Sequence, residues 1–312
     1  MTRILVAGEL NADLILSGLP SPPVLGRELL GTGFAMVLGS SSAITAARLA
    51  MLGRDDEDYA VDFVGLVGDD EIGRFVRRQL EAFGVNHEAV ETVDVPTGVT
   101  ISLPFEHDRA LLTYPGAMLD FDGAAITADL LARYTHLHVG SFFLQSGLQP
   151  HLARIFALAR RLGVTTSLDV GWDSSETWME NPHLAPALAE TDDFFPNEDE
   201  CAALAPDSET LKSHVGGALW IKRGVRGASA YTREAAFHAP AFPVAPVDTT
   251  GAGDAFNAGA IYARRIRGEA VNSALRFACA CGAQATLHVG GATAAPTERM
   301  VREWIAEQEW QT

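Results

Sequence analysis

Val247-Asp248-Thr249-Thr250-Gly251-Ala252-Gly253-Asp254-Ala255-Phe256-Asn257-Ala258-Gly259 is the stretch from which the rest of the chain can be read. A turn of small residues runs into an apolar helix carrying Phe256, Ala260, Ile261 and Ala263. Gly251, Ala252 and Gly253 leave backbone N–H groups uncovered at a helix N-terminus, where the helix dipole also favours negative charge. Such a nest suits the charge that develops on a phosphoryl group in transfer. Asp254 stands at the same helix start. A carboxylate there is ordinarily an N-cap. Beside a phosphoryl site it can instead take the proton of an attacking hydroxyl. The pattern GxxxxGK[ST] is absent from the chain, so this is not a P-loop.

Working outward, short β-branched runs alternate with helical patterns. Strands are expected at Ile4–Val6, Val61–Val67, His136–Val139, Val164–Leu168, Asp193–Phe195 and Leu219–Ile221. One helix starts at Asp69 and Asp70, places Ile72, Phe75, Val76, Leu80 and Phe83 on one face, and stops at Gly84. Another aligns Leu152, Ile155, Ala159 and Leu162 before Gly163. The alternation predicts an α/β fold with a mostly parallel sheet covered on both faces, and ligands beyond the carboxyl ends of its strands. Two stretches break the pattern: residues 14–37, rich in Gly, Pro and Leu, and residues 95–116, which read as a hairpin of Thr97–Leu103 and Ala110–Thr113 around Glu106-His107-Asp108-Arg109. Together they predict a small β lid from parts of 12–37 and 95–118, appended to a single domain spanning 1–312.

The longer string Asp-Thr-Thr-Gly-Ala-Gly-Asp-Ala-Phe resembles the second signature of the ribokinase-like (PfkB) carbohydrate kinases. Gly65-Leu66-Val67-Gly68-Asp69-Asp70-Glu71-Ile72-Gly73 is similar to another family element, and its aspartates read as helix caps. The resemblance runs from Gly8 to Pro296. It implies a three-layer sandwich with a small β-sheet lid, and ATP-dependent phosphoryl transfer to a sugar-like hydroxyl with Mg2+. Asp254 would be the base and Gly251, Ala252 and Gly253 the anion hole. Phe195-Pro196-Asn197-Glu198-Asp199-Glu200 resembles a family element in which Asn197 and Glu200 would support magnesium and the ATP phosphates, although Asn197 equally suits a helix start. Lys222, Gly224, Arg226 and Gly227 lie in a segment similar to the nucleotide-holding strand and turn, and Cys279 would line the adenine pocket. The resemblance further implies a potassium ion beside Asp248 and Thr250, and a homodimer formed through lid faces.

On the acceptor side, Glu9-Leu10-Asn11-Ala12-Asp13 resembles the family's Asn-x-Asp, so Asn11 and Asp13 would grip sugar hydroxyls. The next element departs from the family's Gly-Gly-x-x-x-Asn: Gly39 is followed by Ser40, Ser41 and Ser42, and the Asn position is Ile44. The serines could take over hydroxyl recognition, but sugar specificity does not carry across. Nucleosides remain an alternative acceptor class, with Phe34, Phe142 and Phe143 as aromatics for a base. The segments expected to form the pocket hold only Arg48 and Arg109 as cations, against Glu9 and Asp13, which predicts a neutral acceptor and not a sugar phosphate. Asp169 and Asp173 either face the site or cap turns.

Two rival functions can be drawn from the same residues. His136 and His138 share one strand face, as in metal-dependent hydrolases, but no further ligand cluster follows. A non-catalytic sugar-binding relative would be expected to lose Asp254 or the Gly-Ala-Gly turn, and both are present. Of 312 residues, 40 are acidic and 23 basic, for a net charge of -17, which disfavours nucleic acid and anionic membrane surfaces as partners. The three cysteines form no CxxC pair, and no apolar run approaches the ~18 residues of a spanning helix. A cytoplasmic enzyme is expected.

Overall fold

The coordinates are those of a computed structural model, and they describe residues 2–105 and 109–309. The strands are β1 (Thr2–Ala7), β2 (Asn11–Ser17), β3 (Gly33–Leu38), β4 (Tyr59–Gly68), β5 (Asn86–Val93), β6 (Gly98–Pro104), β7 (Arg109–Tyr114), β8 (His136–Val139), β9 (Thr165–Leu168), β10 (Asp193–Phe194), β11 (Ala218–Lys222), β12 (Ala228–Tyr231) and β13 (Ala236–Ala239). The helices are α1 (Ser41–Leu52), α2 (Glu71–Ala82), α3 (Ala128–Leu131), α4 (Gln149–Arg161), α5 (Leu184–Ala189), α6 (Glu198–Leu204), α7 (Ser208–His214), α8 (Ala252–Ile261), α9 (Val271–Ala285) and α10 (Glu298–Glu309). No helix among the described residues is long and apolar enough to cross a membrane.

Nine strands form one sheet in the order β13-β12-β11-β10-β9-β8-β1-β4-β5, and only the β11-β12-β13 end is antiparallel. Strand β1 shows why the sheet is covered twice. Ile4 and Val6 enter one apolar cluster with α1, α8 and α9, while Leu5 and Ala7 enter the other with α4 and α5. Period-two alternation of uniformly apolar residues can be buried only between two helical layers. The helix boundaries follow from local chemistry: Asp70 caps α2 by accepting from Gly73 N at 2.7 Å, and Gly84 and Gly163 take positive φ just past the ends of α2 and α4.

The expected small sheet is present with four strands in the order β3-β2-β6-β7. Its two outer pairings are antiparallel and the central β2–β6 pairing is parallel. Segment 14–37 is thus two strands at its ends with the Pro- and Gly-rich run between them. The hairpin turn expected at Glu106-His107-Asp108 lies outside the described residues. Strand β5 had no counterpart in the sequence reading. It is an edge strand, and of its residues only Val90 is buried, so it has no apolar alternation to detect.

Candidate active site

The carboxyl ends of the parallel strands all open on one edge. Glu9 follows β1, Gly140 and Ser141 follow β8, Asp169 follows β9, Asn197 follows β10, and Lys222 closes β11. Chain order runs outward from β1 to β4 and β5 on one side and from β8 to β11 on the other. The β1/β8 boundary is therefore a switch point, where such sheets bind ligands. A separate cleft of about 760 Å3 lies at the opposite ends of the strands, and its lining groups Arg267, Asp56, Glu298 and Arg302 are tied up in ion pairs with one another.

The turn 249–253 enters α8 through Gly251, which holds φ 73 and so suits glycine. A Cβ there would stand 2.3 Å from Gly291 Cα, so the turn packs backbone on backbone against the 290–293 loop. Asp248 ties the two together: Oδ1 accepts from Thr250 N and Oδ2 from Gly290 N, each at 2.9 Å. Arg48 reinforces this loop from below. It is 3% exposed and donates through Nε and Nη2 to Gly291 O at 3.0 and 2.6 Å. The sequence reading counted Arg48 among the pocket cations; its guanidinium is instead spent on backbone carbonyls. Ile44, 3% exposed, points its Cδ1 at the same Gly291, so it supports the loop.

Asp254 lies in the first turn of α8, half-buried, and Ser41 Oγ donates to its Oδ1 at 2.6 Å. Burial pushes the Asp254 carboxyl up to about 7, and the nearby Asp169 charge adds to the rise. Ser41 opens α1, whose cap is Ser40 at φ 70, with its Oγ accepting from Ala43 N and donating to Glu9 O. Glu9 is fully absorbed in this junction, accepting from Ser42 N, Ser42 Oγ and Gln145 Nε2. Asn11 donates to Asp13 Oδ1 at 3.1 Å and to Thr100 Oγ1 at 2.9 Å. A Cβ on Gly39 would stand 2.2 Å from Asp13 Oδ1, so a side chain there would displace the Asp13 carboxylate. Asn11, Asp13, Gly39, Ser40, Ser41 and Asp254 are therefore one contiguous constellation.

The register of the small sheet places Asp13, Thr100, Thr113 and Arg109 on a common inward face. Arg109, exposed at the start of β7, donates through Nη1 to Thr249 Oγ1 at 3.2 Å. Its charge counters the burial that pushes Asp13 up to about 6. Phe34 is on the opposite, outward face, paired with Leu16. Phe142 is buried in the core, and Phe143 meets Trp178 edge-on at 5.5 Å. None of the three is arranged as an open stacking wall.

On the other side of the turn, Asn197 and Glu200 form a reciprocal capping box on α6, with bonds of 2.9 and 2.8 Å. The capping role thus holds for both residues in this state. Burial pushes Glu200 up to about 7, with Asp169 nearby. Gly224 has φ 54 and open space around it, whereas a Cβ on Gly227 would stand 2.0 Å from Ala239 O, so hairpin packing accounts for Gly227. Arg226 pairs with Glu198, as does Arg223 at 2.8 Å. Cys279 is buried in the core layer of α9, and burial pushes its thiol up to about 12.

Three groups escaped the sequence reading as a set. Lys222 Nζ donates to Asp169 Oδ2 at 2.6 Å, and Asn257 Nδ2 donates to the same oxygen at 2.6 Å. The signal for Asn257 was its i+3 spacing from Asp254. Asp173, by contrast, is a turn cap, accepting from Ser175, Thr177 and Trp178. His136 and His138 are buried and bond to the hydroxyls of Thr165 and Ser167. Among the described residues no group of three or more His, Cys, Asp or Glu is placed to hold a metal ion.

The nine-stranded sheet with its small second sheet is a ribokinase-like α/β sandwich. A chain described as ribokinase II from E. coli, in complex with ATP and Mg2+, superposes with a TM-score of 0.85 over 98% of this chain and 100% of its own, at 23% identity. The nucleoside kinase of Methanocaldococcus jannaschii gives 0.80 over 98% and 99%, at 19% identity. In sequence, residues 1–298 match the pfkB family carbohydrate kinases. The ATP-dependent ribose-1-phosphate kinase of Halopiger xanaduensis is 33% identical over 99% of both chains. The ribokinase of Bacillus subtilis is 29% identical over 98% of this chain and 100% of its own. The chain belongs to the pfkB family of carbohydrate kinases. It is an ATP-dependent phosphotransferase that acts on an alcohol group of a small sugar-like acceptor.

Proposed function

We propose that the acceptor is a neutral sugar or sugar-like polyol, held by Asn11, Asp13 and the Gly39–Ser41 turn, and that Asp254 deprotonates its reacting hydroxyl. The observation that carries this is the Ser41 hydroxyl, which already sits on Asp254 Oδ1 at 2.6 Å, beside the nest of the 251–253 turn. A sugar hydroxyl in that place gives its proton to Asp254 while its oxygen attacks the terminal phosphorus of ATP. The bond to the ADP oxygen breaks, and the N–H groups of Gly251, Ala252 and Gly253 meet the charge on the transferring group.

The residues present fit a magnesium-bound nucleotide. Magnesium is commonly held by one or two carboxylates with waters and phosphates completing its shell. Glu200 supplies such a carboxylate near Asp169 and Lys222, and when bound the ion neutralises phosphate charge. Lys222, Gly224, Arg226 and Gly227 border the nucleotide, and Cys279 backs its base. Asp248 and the Thr250 carbonyl are the proposed potassium site, an oxygen donor set on the flank of the anion hole. The small sheet acts as a lid within one kinase unit. Its outward face carries exposed Phe34, Met36, Ile101, Leu112 and Tyr114, a contiguous apolar surface suited to a second copy of this chain. Three buried free cysteines suit a reducing cytoplasm.

A second proposal, a phosphorylated ribose as acceptor, is favoured by Arg109. Its guanidinium stands between Asp13 and the catalytic turn, where an anionic substituent on the sugar would meet a fork donor, and a ribose-1-phosphate kinase is among the relatives. A coupled ADP-release screen of D-ribose, D-fructose, ribose 1-phosphate and nucleosides decides between the two. The neutral-sugar reading expects a free sugar to have the highest kcat/KM. A wide preference for ribose 1-phosphate that disappears in Arg109→Ala would replace it with the second.

A further inference from the structure

Lys222 is a largely but not fully buried ammonium at the end of β11, its side chain 14% exposed, and the groups around it are arranged with more care than charge pairing needs. Its Nζ is 2.6 Å from Asp169 Oδ2 and 3.4 Å from Asn257 Oδ1. Asn257 Nδ2 donates to the same Asp169 oxygen at 2.6 Å, and Gly171 N holds the other carboxylate oxygen at 3.1 Å. Asp169 thus comes from the end of β9, Lys222 from β11 and Asn257 from α8, three elements that converge under the turn. A Cβ built on Gly253 would stand 3.4 Å from Lys222 Nζ, which is ordinary contact distance, so the ammonium lies directly against the nest. An ammonium has three donors, and among the described residues two hydrogen-bond acceptors engage this one. The pair stays charged: Asp169 is held below the usual carboxylate range and Lys222 above its usual value, each by the other against the effect of burial. A buried ion pair is weak evidence for stability, because apolar groups of similar volume commonly serve as well. A functional demand explains its presence better.

We propose that Lys222 is a catalytic cation for the transferring phosphoryl group, held beneath the Gly251–Gly253 turn by Asp169 and Asn257 as positioning residues. The proposal rests on the kinase reaction. As the acceptor oxygen bonds to the terminal phosphorus, its proton passes to Asp254 and the bonding pair to the bridging oxygen leaves with ADP. Charge spread over the three remaining phosphoryl oxygens then faces the Lys222 ammonium, which stays protonated throughout and transfers nothing. Asp169 serves twice: it fixes the ammonium, and its own charge raises the Asp254 carboxyl toward neutrality, where a base is most useful.

The test separates ground-state nucleotide binding from transition-state stabilisation. On the full chain, Kd for a non-hydrolysable ATP analogue with Mg2+ is measured by titration. Turnover is measured on whichever of D-ribose, D-fructose or ribose 1-phosphate the native enzyme uses best. Native turnover that is lost in Asp254→Asn establishes the kinase reaction independently of Lys222. Lys222→Met is expected to lower kcat by about 10²-fold or more, the scale of one lost oxyanion donor, with Kd changed less than about threefold. Asp169→Asn is expected to lower kcat by roughly tenfold at unchanged Kd, and to add nothing further in the Lys222→Met background. If Lys222→Met does not fold because a lone carboxylate is left buried, the double variant Lys222→Met/Asp169→Asn removes both charges and is read in its place. A near-native kcat in either, a loss confined to Kd, or an Asp169→Asn with native kcat overturns the proposal.

Discussion

The two halves of the proposed active site are built from different materials. The phosphoryl side is made of backbone: Gly251 pressed on Gly291, N–H groups at the start of α8, and Asp248 bridging Thr250 and Gly290. The acceptor side is made of side chains projecting from a four-stranded sheet: Asp13 and Thr100 from its centre and Arg109 from its edge. Backbone geometry admits few residues at each position, so the first half dictates its own sequence. A side-chain surface can be repopulated one residue at a time without disturbing the fold. The chemistry is therefore legible in this chain where the substrate is not.

The largest expected effect breaks the phosphoryl side at its base. Asp254→Asn should bind ATP normally and lose phosphoryl transfer by roughly 10²–10⁴-fold, the usual range for a general base. Near-native turnover would remove Asp254 from that role. The same carboxyl, pushed up to about 7 by burial, predicts that kcat/KM in the native enzyme rises as pH climbs through about 7 and then levels, since the ionised form is the base. Stability has the opposite sign. A carboxyl raised above its unfolded value stabilises the fold at low pH and loses that contribution as pH rises through the folded value. The difference in Tm between Asp254→Asn and the native enzyme should accordingly shift in favour of the variant from pH 5 to pH 8.

A smaller effect sharpens the claim that backbone contact governs this half. Gly251→Ala forces a left-handed conformation on an alanine, about 1–2 kcal/mol, and places its Cβ 2.3 Å from Gly291 Cα. The strain alone converts to roughly tenfold in kcat/KM if it displaces the turn. Kinetics of that variant equal to native would show that the turn has slack.

The same distinction explains what could be read in advance. Strands β1, β4, β8, β9, β10 and β11 are largely buried on both faces, and their apolar runs showed in the sequence to within two residues at each end. Strand β5 did not show, because an edge strand with one buried residue has no periodicity to find. In the site, the turn 251–254 and the constellation of Asn11, Asp13, Gly39 and Ser41 were legible as motifs. Lys222 was assigned to the nucleotide while Asp169 was left between site and turn, and nothing local relates positions 53 residues apart. Arg48 illustrates the opposite failure. One helical turn beyond Ile44, it read as a pocket cation, but helix position does not reveal that its guanidinium reaches backbone carbonyls across the domain.

On the acceptor side the expected effects are smaller and selective. Arg109→Ala removes one exposed fork donor beside Thr249. It should weaken KM for an anionic sugar by about tenfold, on the scale of one charge-assisted hydrogen bond, and leave a neutral sugar nearly unchanged. Equal effects on both would assign Arg109 to the phosphoryl side.

The smallest effect on chemistry should come from the outward face of the small sheet. Phe34 is 70% exposed, Leu112 55%, Tyr114 53% and Ile101 42%, and the strand register sets all four on the face away from Asp13. A contiguous exposed apolar face of this kind favours a covering partner. The chain's net charge of -17 opposes self-association in general, so a dimer has to be held by this patch in particular. Phe34→Glu places a like charge on both copies at the centre of a twofold contact. The native chain should sediment at about twice 33.3 kDa and the variant at 33.3 kDa, with kcat changed only a few-fold because Asp254 and the turn belong to the large sheet's edge. A native monomer at micromolar concentration would remove the dimer. A dissociated variant whose KM for the sugar rises while kcat holds would show that the partner's role is to steady the face that carries Asp13 and Arg109.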